Sequence, residues 1–359
     1  MLYSSLPIIA SELDVEAAIA VRVITAYQMV MLVTLIPFSA IAEKRGKKQV
    51  FMVGLLLFGM ASVACSLSQS LLELAIARGL QGLAASAVTS VNLALIRGLY
   101  PAHFSGRGFG MSALVAALSM SAGPILSAVF LDRWPWQYLF FINLPIVTVA
   151  STLAALAIPY GKSDREKRPS MCALLRIKAF NQASLTSTLA YMSQGMMLTA
   201  LPFLLYVTLS RSITESGFLL MLWSLMVALT APATSRFSEA YYPGLLRLGL
   251  LLMGLGQGLL VLLPPEVTAV DLVWRAAISG VGFGIFQAPN ICMLFRYVPI
   301  PLIGGASGVI ATSRLLGQLI GSAMTASFFY AWEQHGPAIA LGVSCVLSIS
   351  AYVQTFSKR

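Results

Sequence analysis

The 359 residues are 58% hydrophobic and only 10% charged, with a mean hydropathy of +0.84 and a formal net charge of +10. That balance excludes a soluble domain. The sequence holds no Walker motif and no G-x-S-x-G, and its two histidines, His103 and His335, fall in predicted loops. A nucleotide-driven pump and a hydrolase are therefore excluded as well.

A bilayer-spanning helix needs roughly 20 apolar residues, and uncharged runs of about that length recur along the chain. Met1–Ala10 is too short to cross and lacks the basic flank and cleavage site of a secretory signal. It reads as the outer end of a helix whose first part is absent. The runs Val23–Ala42, Gln49–Leu72, Gly79–Ile96, Gly108–Leu131 and Trp134–Gly161 follow. Tyr160–Lys178, with Gly161, Pro169 and six Lys or Arg residues, reads as a basic linker. Beyond it come Ala179–Ser210, Ser216–Ser235, Leu248–Pro265 and Ala276–Phe295. Tyr297–Ser313 and Leu315–Trp332 are best read as one helix with a buried charge at Arg314, and Gln334–Ser357 closes the series. The expectation is an all-α membrane protein with eleven full spans and a truncated first helix. Its domains are an N-terminal bundle over 1–159, a linker over 160–178 and a C-terminal bundle over 179–359.

The charges fall unevenly. With the Glu43–Gln49 loop placed in the cytoplasm, 17 of the 23 Lys and Arg residues lie on that side, while nine of the 13 acids lie opposite. This is the positive-inside pattern. It predicts a cytoplasmic C-terminus in the cell inner membrane, and it reads the basic excess as topology, with no nucleic-acid partner. Cys65, Cys172, Cys292 and Cys345 have no paired or metal spacing. No metal and no cofactor is expected.

Sliding the chain on itself by 198 residues pairs Gly46 with Gly244, Gly82 with Gly280, Asn92 with Asn290, Pro101 with Pro299, Gly106 with Gly304, Gly110 with Gly308 and Gly123 with Gly321. Chance apolar similarity does not select Gly, Pro and Asn. The offset points to two repeated bundles, a plan that places a substrate path between them near the midplane.

Four stretches stand out in chain order. Ser39 to Lys48 places Glu43, Lys44, Gly46, Lys47 and Lys48 around a tight turn. Arg78-Gly79-Leu80-Gln81-Gly82 puts a charge on an apolar helix, where it costs about 2.5–3.5 kcal/mol on insertion scales. Gly110, Ser119, Gly123 and Pro124, with Ser127 and Ala128, form a small-residue face that ends at a helix-bending proline. Trp134-Pro135-Trp136 leads into Asn143-Leu144-Pro145. Together these stretches resemble the major facilitator superfamily, in particular its drug:proton antiporter branch with fourteen spans. The resemblance covers nearly the whole chain, including Gly280-x-Gly282-x-Gly284, Pro289-Asn290 and Arg314-x-x-Gly317.

The resemblance implies a major facilitator fold of two pseudo-symmetric six-helix bundles. It implies a latch between helices at Glu43, Lys44, Gly46, Lys47 and Lys48, although these also suit simple interfacial anchors. It implies proton coupling at Arg78 with Gln81 as polar neighbour, the alternative being an arginine that snorkels to the interface. Gly110, Ser119, Gly123 and Pro124 match the antiporter motif with Ser119 in place of a glycine. Two departures matter. The linker is too short for the branch's extra central helix pair, and no Asp or Glu lies in the middle of a predicted span.

Polar and aromatic groups within spans give the cavity candidates Tyr27, Gln28, Asn92, Gln194, Trp223, Gln287, Asn290 and Arg314; each equally suits a packed helix contact. The expected function is proton-coupled efflux of small amphipathic or cationic compounds by a monomer in the lipid bilayer, and no enzyme activity. The alternative is a transport-incompetent truncated paralogue or a partner membrane subunit.

Overall fold

The computed structural model describes residues 2–99, positions 115, 119, 122, 123, 126 and 127, and residues 129–158, 176–234, 237, 239–263, 267–298, 303–332 and 335–356. These residues form helices and short connections with no strand. The helices are α1 (Leu2–Glu12), α2 (Ala17–Ala20), α3 (Arg22–Arg45), α4 (Lys47–Ser66), α5 (Leu71–Leu99), α6 (Tyr138–Phe141) and α7 (Asn143–Ala157). The second half supplies α8 (Lys178–Phe203), α9 (Ile213–Thr234), α10 (Tyr242–Val261), α11 (Ala269–Arg296), α12 (Ile303–Trp332) and α13 (Gly336–Gln354). Among the described residues, nine helical stretches are long and apolar enough to cross a membrane. α12 is not among the nine; it is 30 residues long and carries Arg314, Gln318 and several Ser and Thr residues. Most of the predicted fifth span and of the linker lies outside the described residues.

Three predicted starts move for one reason. The fourth span opens at Leu71, not Gly79, so Arg78 sits two turns inside α5. Likewise α10 begins at Tyr242 and includes Arg247, and α11 begins at Ala269 and includes Asp271 and Arg275. Reading a charge as the end of a span is wrong wherever the helix gives that charge a neighbour. Arg275, for example, lies 3.8 Å from Asp271, one turn away. The expected single helix around Arg314 is present as α12, but Arg314 is exposed, not buried.

The two halves pack alike. In the first, α5 lies against α3 and α4, and α4 against α7; in the second, α11 lies against α9 and α10, and α10 against α13. Glycines at the repeat offset occupy matching crossings. A Cβ on Gly82 would strike the Tyr27 carbonyl of α3, and a Cβ on Gly280 would sit 2.6 Å from the Trp223 carbonyl of α9. In Gly280-x-Gly282-x-Gly284 the outer two face α9, while Gly282 faces Met253 and Gly249 of α10. Close backbone approach at both faces of α11 is what these residues permit.

A seam joins the halves. At one end Leu6, Val21 and Ile24 pack with Phe203 and Phe329. Deeper in, Met31 and Ala85 meet Leu315, with Tyr27 and Phe58 beside them.

Candidate functional site

The polar groups of the first half converge on the seam. Arg78 and Gln81 are three residues apart on α5 and so lie on one face. Arg78 Nη1 donates to Gln81 Oε1. Gln81 Nε2 in turn donates to Ser62 Oγ of α4 at 2.7 Å, and Asn143 Nδ2 of α7 reaches the same Oγ at 3.3 Å. The Arg78 guanidinium lies 4.1 Å from the centroid of the Tyr27 ring of α3. Such a contact attracts a cation without neutralising it. Next to Tyr27, Gln28 donates from Nε2 to the Tyr3 hydroxyl of α1 at 3.1 Å. Tyr3 also lies beside Ser322 of α12, and Ser322 Oγ lies 3.2 Å from Thr199 Oγ1 of α8. Polar side chains thus line the seam from Gln28 in one half to Thr199 in the other.

Two atoms in this region lack partners. Arg78 Nε is shielded from solvent and meets no acceptor, and Gln28 Oε1 meets no donor. Among the described residues no carboxylate pairs with Arg78. Across the whole sequence, none of the 13 Asp and Glu residues falls in the interior of a described helix or between residues 100 and 131. No group of residues suited to hold a metal occurs among the described residues.

The remaining candidates sort by position. Gly46 has φ +101°, a conformation that favours glycine, and it joins α3 directly to α4. Lys44 and Lys47 are exposed, the Glu43 side chain lies outside the described residues, and Lys48 Nζ donates to the Ala155 carbonyl at 2.8 Å in the last turn of α7. Gly110 and Pro124 also lie outside the described residues; Ser119 is exposed on a helical turn and Gly123 is buried. Gln194 accepts from Gln318 at 3.1 Å. Asn92 and Gln287 are half-buried. Trp223 is fully buried in the core of the second half, with Nε1 3.4 Å from Ser279 Oγ, and Asn290 donates to Ser187 at 3.0 Å. These last two occupy helix contacts in this structure. Tyr3, Ser62, Thr199 and Ser322 belong to the seam network although nothing in the sequence singles them out, since hydroxyl groups are common in apolar helices.

Comparison with known proteins gives a consistent set of likenesses. Residues 1–180 match the family model described as Major Facilitator Superfamily. An uncharacterized transporter of Escherichia coli K12, YebQ, is 32% identical over 405 aligned residues, covering 97% of this chain and 89% of its own. That aligned stretch is longer than the chain, so YebQ holds internal residues without counterpart here. The riboflavin transporter RibZ of Clostridioides difficile 630 is 22% identical, covering 90% of this chain and 82% of its own. The multidrug resistance protein Stp of Mycobacterium tuberculosis H37Rv is 24% identical, covering 86% and 68%. In fold, the human organic anion transporter MFSD10 superposes with a TM-score of 0.73 at 14% identity, covering 99% of this chain and 89% of that one.

Proposed function

The chain belongs to the Major Facilitator Superfamily, and on that premise we propose that it exports small amphipathic compounds in exchange for protons, by rocking of the two halves about the seam. The coarser statement is plain: this is a multi-pass membrane transporter that works in a lipid bilayer on a small molecule, and not an enzyme. The finer reading is ours. In it, residues 1–159 and 179–359 are the two moving bundles, 160–178 is the cytoplasmic linker, and the protein works as a monomer in the inner membrane with its C-terminus in the cytoplasm.

One observation carries the reading. A cationic side chain without a carboxylate partner, Arg78, lies two turns inside α5 at a seam lined by Gln28, Tyr3, Ser322 and Thr199. A charge held so far inside a membrane helix has a use that offsets its insertion cost. Arg78 is the coupling residue in this reading, with Gln81 orienting it. Lys48 and its neighbours brace the end of the first bundle, and the small-residue face from Gly110 to Pro124 lets the fifth span slide. Cationic compounds, which the resemblance also implies, would need a carboxylate that the helix interiors lack, so the amphipathic class is retained.

The same lack favours a second reading, a chain that keeps the fold without transport. Proteoliposomes separate the two. With a proton gradient imposed, the intact chain is expected to move dye and protons together, and Arg78→Ala to abolish both. If the intact chain moves neither across a broad panel of dyes and biocides, the exporter reading fails.

A further inference from the structure

The seam also bears on which molecules it can accept. We propose that it carries a binding site for an amphipathic organic anion, a carboxylate or sulfonate with an aromatic or alkyl body, received by Arg78. The proposal deepens the transport reading and rests on it only for what happens after binding.

Four observations point the same way. Arg78 spends Nη1 on a neutral amide, Gln81, while its Nε–H has no acceptor. A buried donor on a charged group left unmade is costly, and an anion satisfies both the donor and the charge. A second cation, Arg314, is exposed on α12 beside Leu315, and Leu315 packs on the cluster that contains Tyr27, whose ring lies under Arg78. The second half thus brings a cation, not an acid, next in sequence to a residue of the seam. No Asp or Glu lies in the interior of a described helix or between residues 100 and 131 to balance these cations. Finally, the seam beside Arg78 is apolar and aromatic, with Tyr27 and Phe58, which suits the body of such a molecule. The unpaired Gln28 Oε1 accepts from an N–H or O–H on the same ligand.

Charge selectivity follows from Coulomb's law. A ligand cation close to Arg78 in a partly desolvated site is disfavoured against an anion of the same shape by at least about tenfold. Three probes with one ring system test this on the purified full chain in nanodiscs by calorimetry: naphthylacetate, naphthylethanol and naphthylmethyl-trimethylammonium. Naphthylacetate is expected to bind at least about tenfold more tightly than the ammonium probe. Arg78→Gln is expected to remove that preference while leaving naphthylethanol within about twofold, and Arg78→Lys to keep part of it. Should Arg78→Gln fail to fold, the exposed Arg314→Gln serves instead, with naphthylacetate weakened about threefold and naphthylethanol unchanged. Equal affinities for the three probes, or tighter binding of the ammonium probe, overturn the proposal. Unchanged naphthylacetate affinity in both Arg78→Gln and Arg314→Gln also overturns it. Naphthylacetate binding without flux in proteoliposomes overturns the transport reading and upholds the anion site.

Discussion

In the second half, Ser193 Oγ lies 3.0 Å from Gln257 Oε1, 2.7 Å from the Ser344 carbonyl and 2.8 Å from Ser348 Oγ, and Gln257 Nε2 points at Met197 Sδ. Every member is uncharged and fully buried, enclosed by Met196, Leu250, Phe283 and their neighbours. In the first half the corresponding polar interior runs through Arg78, and Arg78 Nε and Gln28 Oε1 are left without partners. Two halves built on one helix plan therefore carry different polar interiors. A satisfied neutral network fixes helix register and holds a bundle rigid, whereas the charged one keeps buried groups unmatched. The unequal interiors teach that pseudo-symmetry of packing does not entail symmetry of chemistry.

The comparison can be broken at four levels. The largest effect tests the shared packing. Gly82→Leu and Gly280→Leu each force a side chain into the backbone of the facing helix, at Tyr27 and at Trp223. Both are expected to eliminate monodisperse protein in size-exclusion chromatography, and a well-behaved Gly280→Leu would deny the second half its claimed close crossing. Next in size is Arg78→Ala, expected to cut substrate-coupled proton flux at least about tenfold with little change in thermal midpoint. A thermal loss as large as the loss of flux would make Arg78 a structural residue. Third, Ser193→Ala leaves polar groups of the closed network unmatched and is expected to cost about 1–3 kcal/mol of stability in a denaturation series, with substrate selectivity untouched. A changed selectivity would place the second network in the transport path after all.

The smallest effect concerns two matching cationic braces. Lys48 at the start of α4 donates to the Ala155 carbonyl near the end of α7. Arg247 near the start of α10 donates to Thr355 Oγ1 at 3.1 Å, just past the end of α13, and stacks 4.1 Å from the Phe356 ring. A cation at the negative end of a helix contributes about 0.3–1 kcal/mol. Lys48→Met and Arg247→Met are expected to lower stability by similar amounts in that range. A difference of several-fold between them would show that the braces are not equivalent.

Much of this was legible in the residues. Long apolar runs and glycines at a 198-residue offset are direct consequences of a bilayer solvent and of close helix crossings, so the helical plan could be read before any coordinates. The misplaced starts of α5, α10 and α11 share a cause, since a charge looks like a span end until its neighbour is known. Arg78 and Gln81 were visible because a charge on an apolar helix either snorkels to the interface or needs a polar neighbour inside the bundle. Ser62 and Ser322 were not, because their hydroxyls would satisfy themselves equally well on a carbonyl of their own helix, and neither was Tyr3, because tyrosines are common near the ends of membrane helices. Arg314 was expected to be buried; which way a residue faces on a helix depends on how the helix is rotated in its bundle, and periodicity is faint where every face is apolar. For the same reason Trp223 looked like a cavity residue until packing set it inside a core.

The apolar plug at one end of the seam, where Leu6, Val21 and Ile24 meet Phe203 and Phe329, has an energetic consequence. Opening that end returns side chains that are at most 3% exposed to a wetter environment. At about 1.5–3 kcal/mol for each large apolar side chain, the rocking proposed above would start from an ensemble weighted toward molecules shut on that side. In the proposed rocking about the seam, a cargo shifts the balance only to the extent that it binds the parted state more tightly than the shut one.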